Sequence, residues 1–560
     1  MPRRLWMVGL SSLLATACSS NPGTQPPLAP CTATSGGQVS LGVGAYTVID
    51  PTQTAGCAVF PANPAGTTIE YLVVPQSASS IPDDSQAFKL GGNPLAAPPA
   101  PGAPLAGLSV AQQFDLRLRL AEREFAAQLP RPLRAPPRAP ALVTPVDSGN
   151  VRTFKVCNTL SCDPRKPTTL STVTATALKV GTHIAIYVDN AAPQPGLSQT
   201  DLDNLRAVFD TRLYETDTLA FGGESDIDNN GMVIVLMTGK VNALVTSAQC
   251  NSPTGGYVAG FFFGADLITT PPFATGNAGE IFYSIVPDPN ATLSCTHSVT
   301  GVTQLVPVTF VHEFQHMISF NQHFLVRGNF PEDLWLNEGL SHYAEENGGR
   351  TFLPDTATFC RYAFGDLYNS AQYFTAPQNY FLVDTAGIGG LANRGAYWLF
   401  VRYLVDQVGA TLGSADSVTR RLDRTSLTGA ANVANATGGT AFPTVLARWA
   451  LANYVSDLPG FTAPPELQYA TWKFRSDYQT MKTACGAFFS TGNLPSQFPL
   501  TPSVVDGSAA LAGMLRAGSG SYYRLQQAAS APGFTLLFSN SAGGALRTTL
   551  VPRLNVIRLQ

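Results

Sequence analysis

Short runs in which apolar and polar side chains alternate dominate both ends of the chain, whereas its middle carries apolar positions at helical spacing. Between residues 31 and 93 the runs are rich in Val, Thr, Tyr and Gly, as in Thr68 to Val74, and turn residues separate them. That pattern predicts a small β domain. Three β-branched runs, Val151 to Val156, Val173 to Leu178 and His183 to Val188, predict strands at the start of a second region. A helix comes next, opened by Ser198 with Asp201 three places on, and its stripe is Leu202, Leu205, Val208, Phe209 and Leu213. Met232 to Met237 returns to strand. Two long helices are then predicted, from Pro307 with proline in the first turn to Asn321, and from Asp333 to Asn347, stopped by Gly348 and Gly349. The pattern stays mostly helical to about residue 480, and short strands such as Tyr522 to Gln526, Thr535 to Phe538 and Asn555 to Leu559 close the chain.

Proline-rich stretches mark the boundaries. Residues 19–30 read as a flexible spacer, and residues 94–148 read as a Pro/Ala-rich, partly basic linker around one helix over Ser109 to Leu129, with Leu116, Leu120 and Phe125 on related faces. The division is therefore a leader at 1–18, a spacer at 19–30 and β domains at 31–93 and 481–560. A larger α+β domain lies at 149–480. With 560 residues and 44% hydrophobic content there is ample material for several cores.

Met-Pro-Arg-Arg followed by the apolar run Leu5 to Ala17 and then Cys18 has the form of a signal peptide with a lipobox-like end, too short for a permanent span. Cys18 is the expected lipidation site, so the only expected link to a membrane is an N-terminal lipid anchor on an exported, cell-envelope or extracellular protein. Setting Cys18 aside leaves an even set of cysteines at 31, 57, 157, 162, 250, 295, 360 and 485, which suits disulfides in an exported chain. Spacing leaves the connectivity open, with Cys31–Cys57 and Cys157–Cys162 as the local candidates. A formal charge of −3 with 13% charged residues offers no single-sign field, so nucleic acid is not expected as a partner.

Chemistry enters with His312-Glu313-Phe314-Gln315-His316. On a helix, residues four apart share a face, so both imidazoles can hold one Zn2+, with Glu313 beside it as general base towards water. A catalytic zinc needs three protein ligands and an open position. The places where a metzincin carries its turn glycine and third histidine hold Ser319 and Gln322, and His323 is one place too late, so it reads as a surface or second-turn histidine. Glu338, in Trp335-Leu336-Asn337-Glu338-Gly339-Leu340-Ser341, stands far enough downstream for one reversal and a second helix.

H-E-x-x-H followed by this string resembles the glutamate-zincins and closely resembles the hyicolysin family of neutral bacterial zinc metallopeptidases; the W-L-N-E-G portion is also similar to the aminopeptidase family. The resemblance covers about residues 150–480. It implies an α+β, zincin-like metallopeptidase core, a mixed sheet plus active-site helix followed by a mostly helical half, flanked here by small β domains at both ends. It also implies His312, His316 and Glu338 as ligands and Glu313 as the catalytic residue. His342 and Glu345, four and seven places beyond Glu338, are candidates for orienting the ligands, although thermolysin-like enzymes have an aspartate at the first of these places. Tyr343, Tyr397 and Tyr403 are available as donors to a developing oxyanion. The strand Asn277 to Val286 is expected to border the cleft, and Gly279-Glu280-Ile281 lacks the G-A-M-E-N amine-binding signature, which points to an endopeptidase.

Asp226, Asp228 and Asn230 have calcium-loop spacing, but Met237 occupies the twelfth position, leaving a partial Ca2+ site and an Asx-rich turn as the two readings. The expected activity is hydrolysis of protein or peptide substrates by a monomeric zinc endopeptidase. The competing reading is a surface adhesion or scaffold lipoprotein with a vestigial zinc site.

Overall fold

The computed structural model describes residues 26–91, 108–129 and 146–560, apart from 164, 253–254, 271–273, 386–389, 487–488 and 490–493. The leader, Cys18 and most of both proline-rich stretches lie outside the described residues. The chain is α+β. Its middle is built on six strands, β5 Val151–Cys157, β6 Leu170–Val180, β7 Ile184–Asp189, β8 Val233–Met237, β9 Gly260–Phe262 and β10 Ile281–Ser284, in the order β5-β6-β7-β8-β10-β9. β7, β8 and β10 run parallel, and their near-continuous apolar sequences suit burial on both faces. β9 is antiparallel to β10 and forms the edge. The strand predicted to border the cleft, β10, is therefore interior, and β9 holds the edge position because Phe261 and Phe262 face buried aromatic surroundings.

The helices around this sheet are α1 Val110–Gln128, α2 Gln199–Val208, α3 Tyr214–Phe221, α4 Gly239–Asn242 and α5 Ser247–Cys250. Further along the chain come α6 Val299–Phe320, α7 Leu334–Arg350, α8 Thr356–Thr375, α9 Leu391–Leu412, α10 Ala415–Asp423, α11 Gly429–Ala436, α12 Phe442–Val455 and α13 Phe474–Cys485. Ser198 and Asp201 form the expected capping box of α2, and Leu202 and Leu205 are buried. α6 starts earlier than expected: Ser298 caps it by accepting from Gly301 N, and Pro307 sits inside the helix, a placement that normally costs about 3 kcal/mol. Burial of Val302 and Val306 draws the extra turns into the core. α7 runs through Gly348 and Gly349 instead of stopping there. The reason is packing, since a Cβ at Gly349 would lie 2.6 Å from Tyr362 Cβ.

The two terminal β regions, predicted as separate domains, pair their strands with one another. One sheet runs β1-β15-β3-β13-β11 and the other β12-β4-β14-β2, where β1 is Tyr46–Ile49, β2 Cys57–Phe60, β3 Ile69–Ser77 and β4 Ser85–Gly91. The C-terminal strands are β11 Ser503–Asp506, β12 Ala510–Arg516, β13 Tyr523–Gln527, β14 Phe534–Asn540 and β15 Pro552–Arg558. β3 explains the arrangement. Its Tyr71 and Val73 face a core shared with Phe60, Phe88, Leu525 and Phe538, while Leu72 and Val74 join the main core. Four disulfides occur among the described residues, Cys31–Cys57 and Cys157–Cys162 as expected, with Cys250–Cys295 and Cys360–Cys485.

α1, predicted as a helix within a linker, is docked. Its buried face is Phe114, Leu118, Ala121 and Phe125, while Leu120 is exposed, so the stripe is rotated from the expected one. Phe114 packs edge-on against Phe261 of β9 at 5.1 Å between ring centroids. Phe114→Ala should lower the stability of the unit containing α1 by about 3–5 kcal/mol. The measurement is the urea midpoint together with the onset of proteolysis, and an unchanged midpoint would show that α1 is not part of the folded body.

Candidate metal centre

α6 and α7 cross so that His312 and His316 on one meet Glu338 on the other. Helical spacing places the two imidazoles on one face, and their Nε2 atoms are 3.2 Å apart. His316 Nε2 lies 3.4 Å from Glu338 Oε1, and His312 Nε2 lies 3.8 Å from Glu338 Oε2. All three residues are almost completely buried. Neither oxygen of Glu338 receives a well-directed hydrogen bond. Burial raises the Glu338 carboxyl, but Arg394, then His316 and His312, more than offset this and hold it well below the usual carboxylate range. Two ring nitrogens facing each other within 3.8 Å of a buried carboxylate fit a bound cation, and the N2O donor set suits zinc.

The other nitrogen of each ring is tied from behind. His312 Nδ1 meets Glu345 Oε1 at 2.7 Å, and His316 Nδ1 meets Asn337 Oδ1 at 2.9 Å and Ser341 Oγ at 3.0 Å. These bonds fix both rings with Nε2 forward. Ser341 also donates to Gln315 Oε1, whose amide donates to Asp423, so the clamp on His316 extends to α10. His342 does not face the cleft directly. Its Nδ1 sits 3.1 Å from Glu345 Oε1 and 3.0 Å from Asp366 Oδ1 on α8. Burial works against the imidazolium, yet Glu345 and Asp366 raise its pKa to about 10. Burial likewise raises Glu345, but the His342 charge and bonds from His312 and His342 hold it at about 2. Asp366 is pushed well above its ordinary value by burial and by Glu345. Asn337, Ser341 and Asp366 were not anticipated as partners. Only Asn337 carried a signal, its place beside Glu338.

Glu313 lies on the cleft side of α6, and its Oε2 accepts from Phe262 N of β9 at 2.8 Å. That strand is fixed in turn by α1, where a buried Arg119–Glu122 pair donates from Arg119 to Phe262 O and accepts from Gly264 N. The cleft has a volume of about 710 Å³ and is bordered by Tyr257, Thr309, Tyr368, Tyr380 and Arg394 beside His312 and Glu313. None of the three tyrosines singled out from the sequence offers a free hydroxyl there. Tyr343 is buried beneath the Arg402 guanidinium, Tyr397 donates to Asp384, and Tyr403 donates to Glu466 O.

His323 is fully buried, not at the surface as read from the sequence, because a π-type turn at Asn321–Leu325 folds it inward near Glu332 and Asp423. Burial and Arg327 lower its pKa to about 4. In the other acidic loop, Asp226 and Asp228 meet Glu280. Asn230 instead turns its Oδ1 to Met232 N and its Nδ2 to Asp228 Oδ2. Glu280 is occupied by Ser225 Oγ and Ile227 N and stays out of the cleft.

Removing the carboxylate behind His312 tests the clamp. Glu345→Gln should weaken zinc affinity by about 10–100-fold while the fold persists, read by competition with a chromophoric chelator and by circular dichroism. Wild-type affinity in the variant would show that the bond to His312 Nδ1 is incidental.

No family model matches this chain. Among known proteins it is similar to the neutral metalloprotease ShpI of Staphylococcus hyicus, with 28% identity over 144 residues. The match covers 25% of this chain and spans about 30% of the length of that relative.

Proposed function

We propose that the chain is an exported zinc endopeptidase that hydrolyses internal peptide bonds of extracellular proteins. The observation that carries this reading is the convergence of His312 Nε2, His316 Nε2 and the buried Glu338 carboxylate beside a cleft onto which Glu313 opens. A bound Zn2+ would supply a Lewis acid that acidifies water and polarises a carbonyl.

The protein's own groups account for the remaining steps. Phe262 N holds Glu313 Oε2, which orients the carboxylate and leaves Oε1 to take a proton from attacking water and return it to the leaving amine. Residues 255–260, leading into the edge strand, border the cleft and are placed to align an extended peptide. Glu280 bonds within its own loop and stands away from the cleft, so it is not placed to capture a free α-amine, which favours internal bonds. Lipidation at Cys18 would keep the enzyme at the envelope, and Asp226, Asp228 and Glu280 could take a calcium ion that stiffens the loop before β8.

Glu313→Gln should retain about one zinc per chain while casein hydrolysis falls by about 10²–10⁴-fold. Metal analysis of the same sample provides the control, and full activity in this variant would refute the assignment. Wild-type activity should vanish with 1,10-phenanthroline and return with added Zn2+; cleavage that survives chelation would point to a different catalytic centre.

A further inference from the structure

The ion pair made by Arg394 is not explained by ligation alone. Arg394 stands in the first turn of α9, on the cleft wall, and its Nη1 lies 3.1 Å from Glu338 Oε2. Its Nη2 donates to Asp115 Oδ2 of α1 at 2.6 Å. Burial disfavours the guanidinium, but Glu338 and then Asp115 hold its charge firmly. α9 can reach this place because Gly339 stands next to Glu338. A Cβ at 339 would stand 2.8 Å from Tyr397 O, so any larger residue would push the two helices apart.

The two oxygens of Glu338 are thereby made unequal. Oε2 carries the ion pair with a guanidinium that cannot lose its charge and lies 3.8 Å from His312 Nε2, whereas Oε1 lies nearer the histidine pair, 3.4 Å from His316 Nε2. We propose that Arg394, anchored by Asp115 of α1, is a positioning residue that restricts Glu338 to ligation through one oxygen and so keeps a coordination position open for the substrate. This rests on the zinc peptidase reading above. It assigns α1 a role in the reaction, since the helix reaches the ligand through a single guanidinium. A carboxylate released from Arg394 is free to bind through both oxygens, which occupies the position the scissile carbonyl needs.

The test uses the full chain loaded with Zn2+ for kinetics and with Co2+ for spectroscopy, comparing wild type, Arg394→Lys, Arg394→Gln and Asp115→Asn. Arg394→Gln should bind about one metal per chain, lose about 10–100-fold in kcat with KM little changed, and show weakened visible Co2+ absorption as the coordination number rises. Arg394→Lys should recover part of kcat by restoring the charge, and Asp115→Asn should fall between wild type and Arg394→Gln. If Arg394→Gln keeps both the Co2+ spectrum and kcat of the wild type, the positioning role is refuted and the peptidase reading stands. If Arg394→Gln unfolds, the Lys and Asn variants decide by the same spectrum, and wild-type spectra in both refute the role. A wild type that binds no metal and cleaves nothing sinks the peptidase reading itself.

Discussion

Two imidazoles and a carboxylate must be held within a few ångströms of one another in an interior that water barely reaches. An uncompensated buried charge costs several kcal/mol, so such a cluster persists only where surrounding groups fix every atom that is not pointing inward. The protein meets this demand from behind. Glu345 holds His312, Asn337 and Ser341 hold His316, and Arg394 holds Glu338, which leaves the Nε2 atoms and the carboxylate facing one point. Most of these supports come from α7, whose period brings Asn337, Glu338, Ser341 and Glu345 to the face against α6.

That face also explains the unusual burial of polar groups around the centre. His342 is lodged between Glu345 and Asp366, and Glu346, one residue on, receives Trp398, Arg402 and Trp472 from the far side. α7 is thus flanked by compensated charges on both sides. The consequence is that the His312 ring cannot rotate freely and presents the same nitrogen to the cleft.

The cleft is assembled from parts remote in sequence. α1 supplies Asp115 and, through Arg119 and Glu122, fixes β9; β9 fixes Glu313; α9 supplies Arg394. The terminal strands do similar work at larger scale. β3 and β15 pair over a long stretch of sequence, and Leu72, Val74 and Ile557 seal the helical half from one side, so both terminal β regions are bound into the body that carries the centre.

The sequence by itself determined the features that arise from local periodicity. The 312/316 pair shares a face because helical geometry requires it, the capping box at Ser198 needs only neighbours, and the alternation in Thr68 to Val74 defines a strand. Two of the disulfides join the cysteines that proximity in sequence suggested, Cys31–Cys57 and Cys157–Cys162, while Cys250–Cys295 and Cys360–Cys485 were left open. Glu338 was singled out by its motif, and the structure brings it beside the histidine pair. Only the tertiary structure decided the contacts between segments whose separation leaves no periodic trace: Arg394 with Glu338, Asp366 with His342, α1 with β9, and the joining of the two terminal β regions. Packing also overrode local rules. Pro307 sits inside a helix and Gly348–Gly349 fails to end one, because buried apolar contacts and close helix approach outweigh propensities of a few kcal/mol at most.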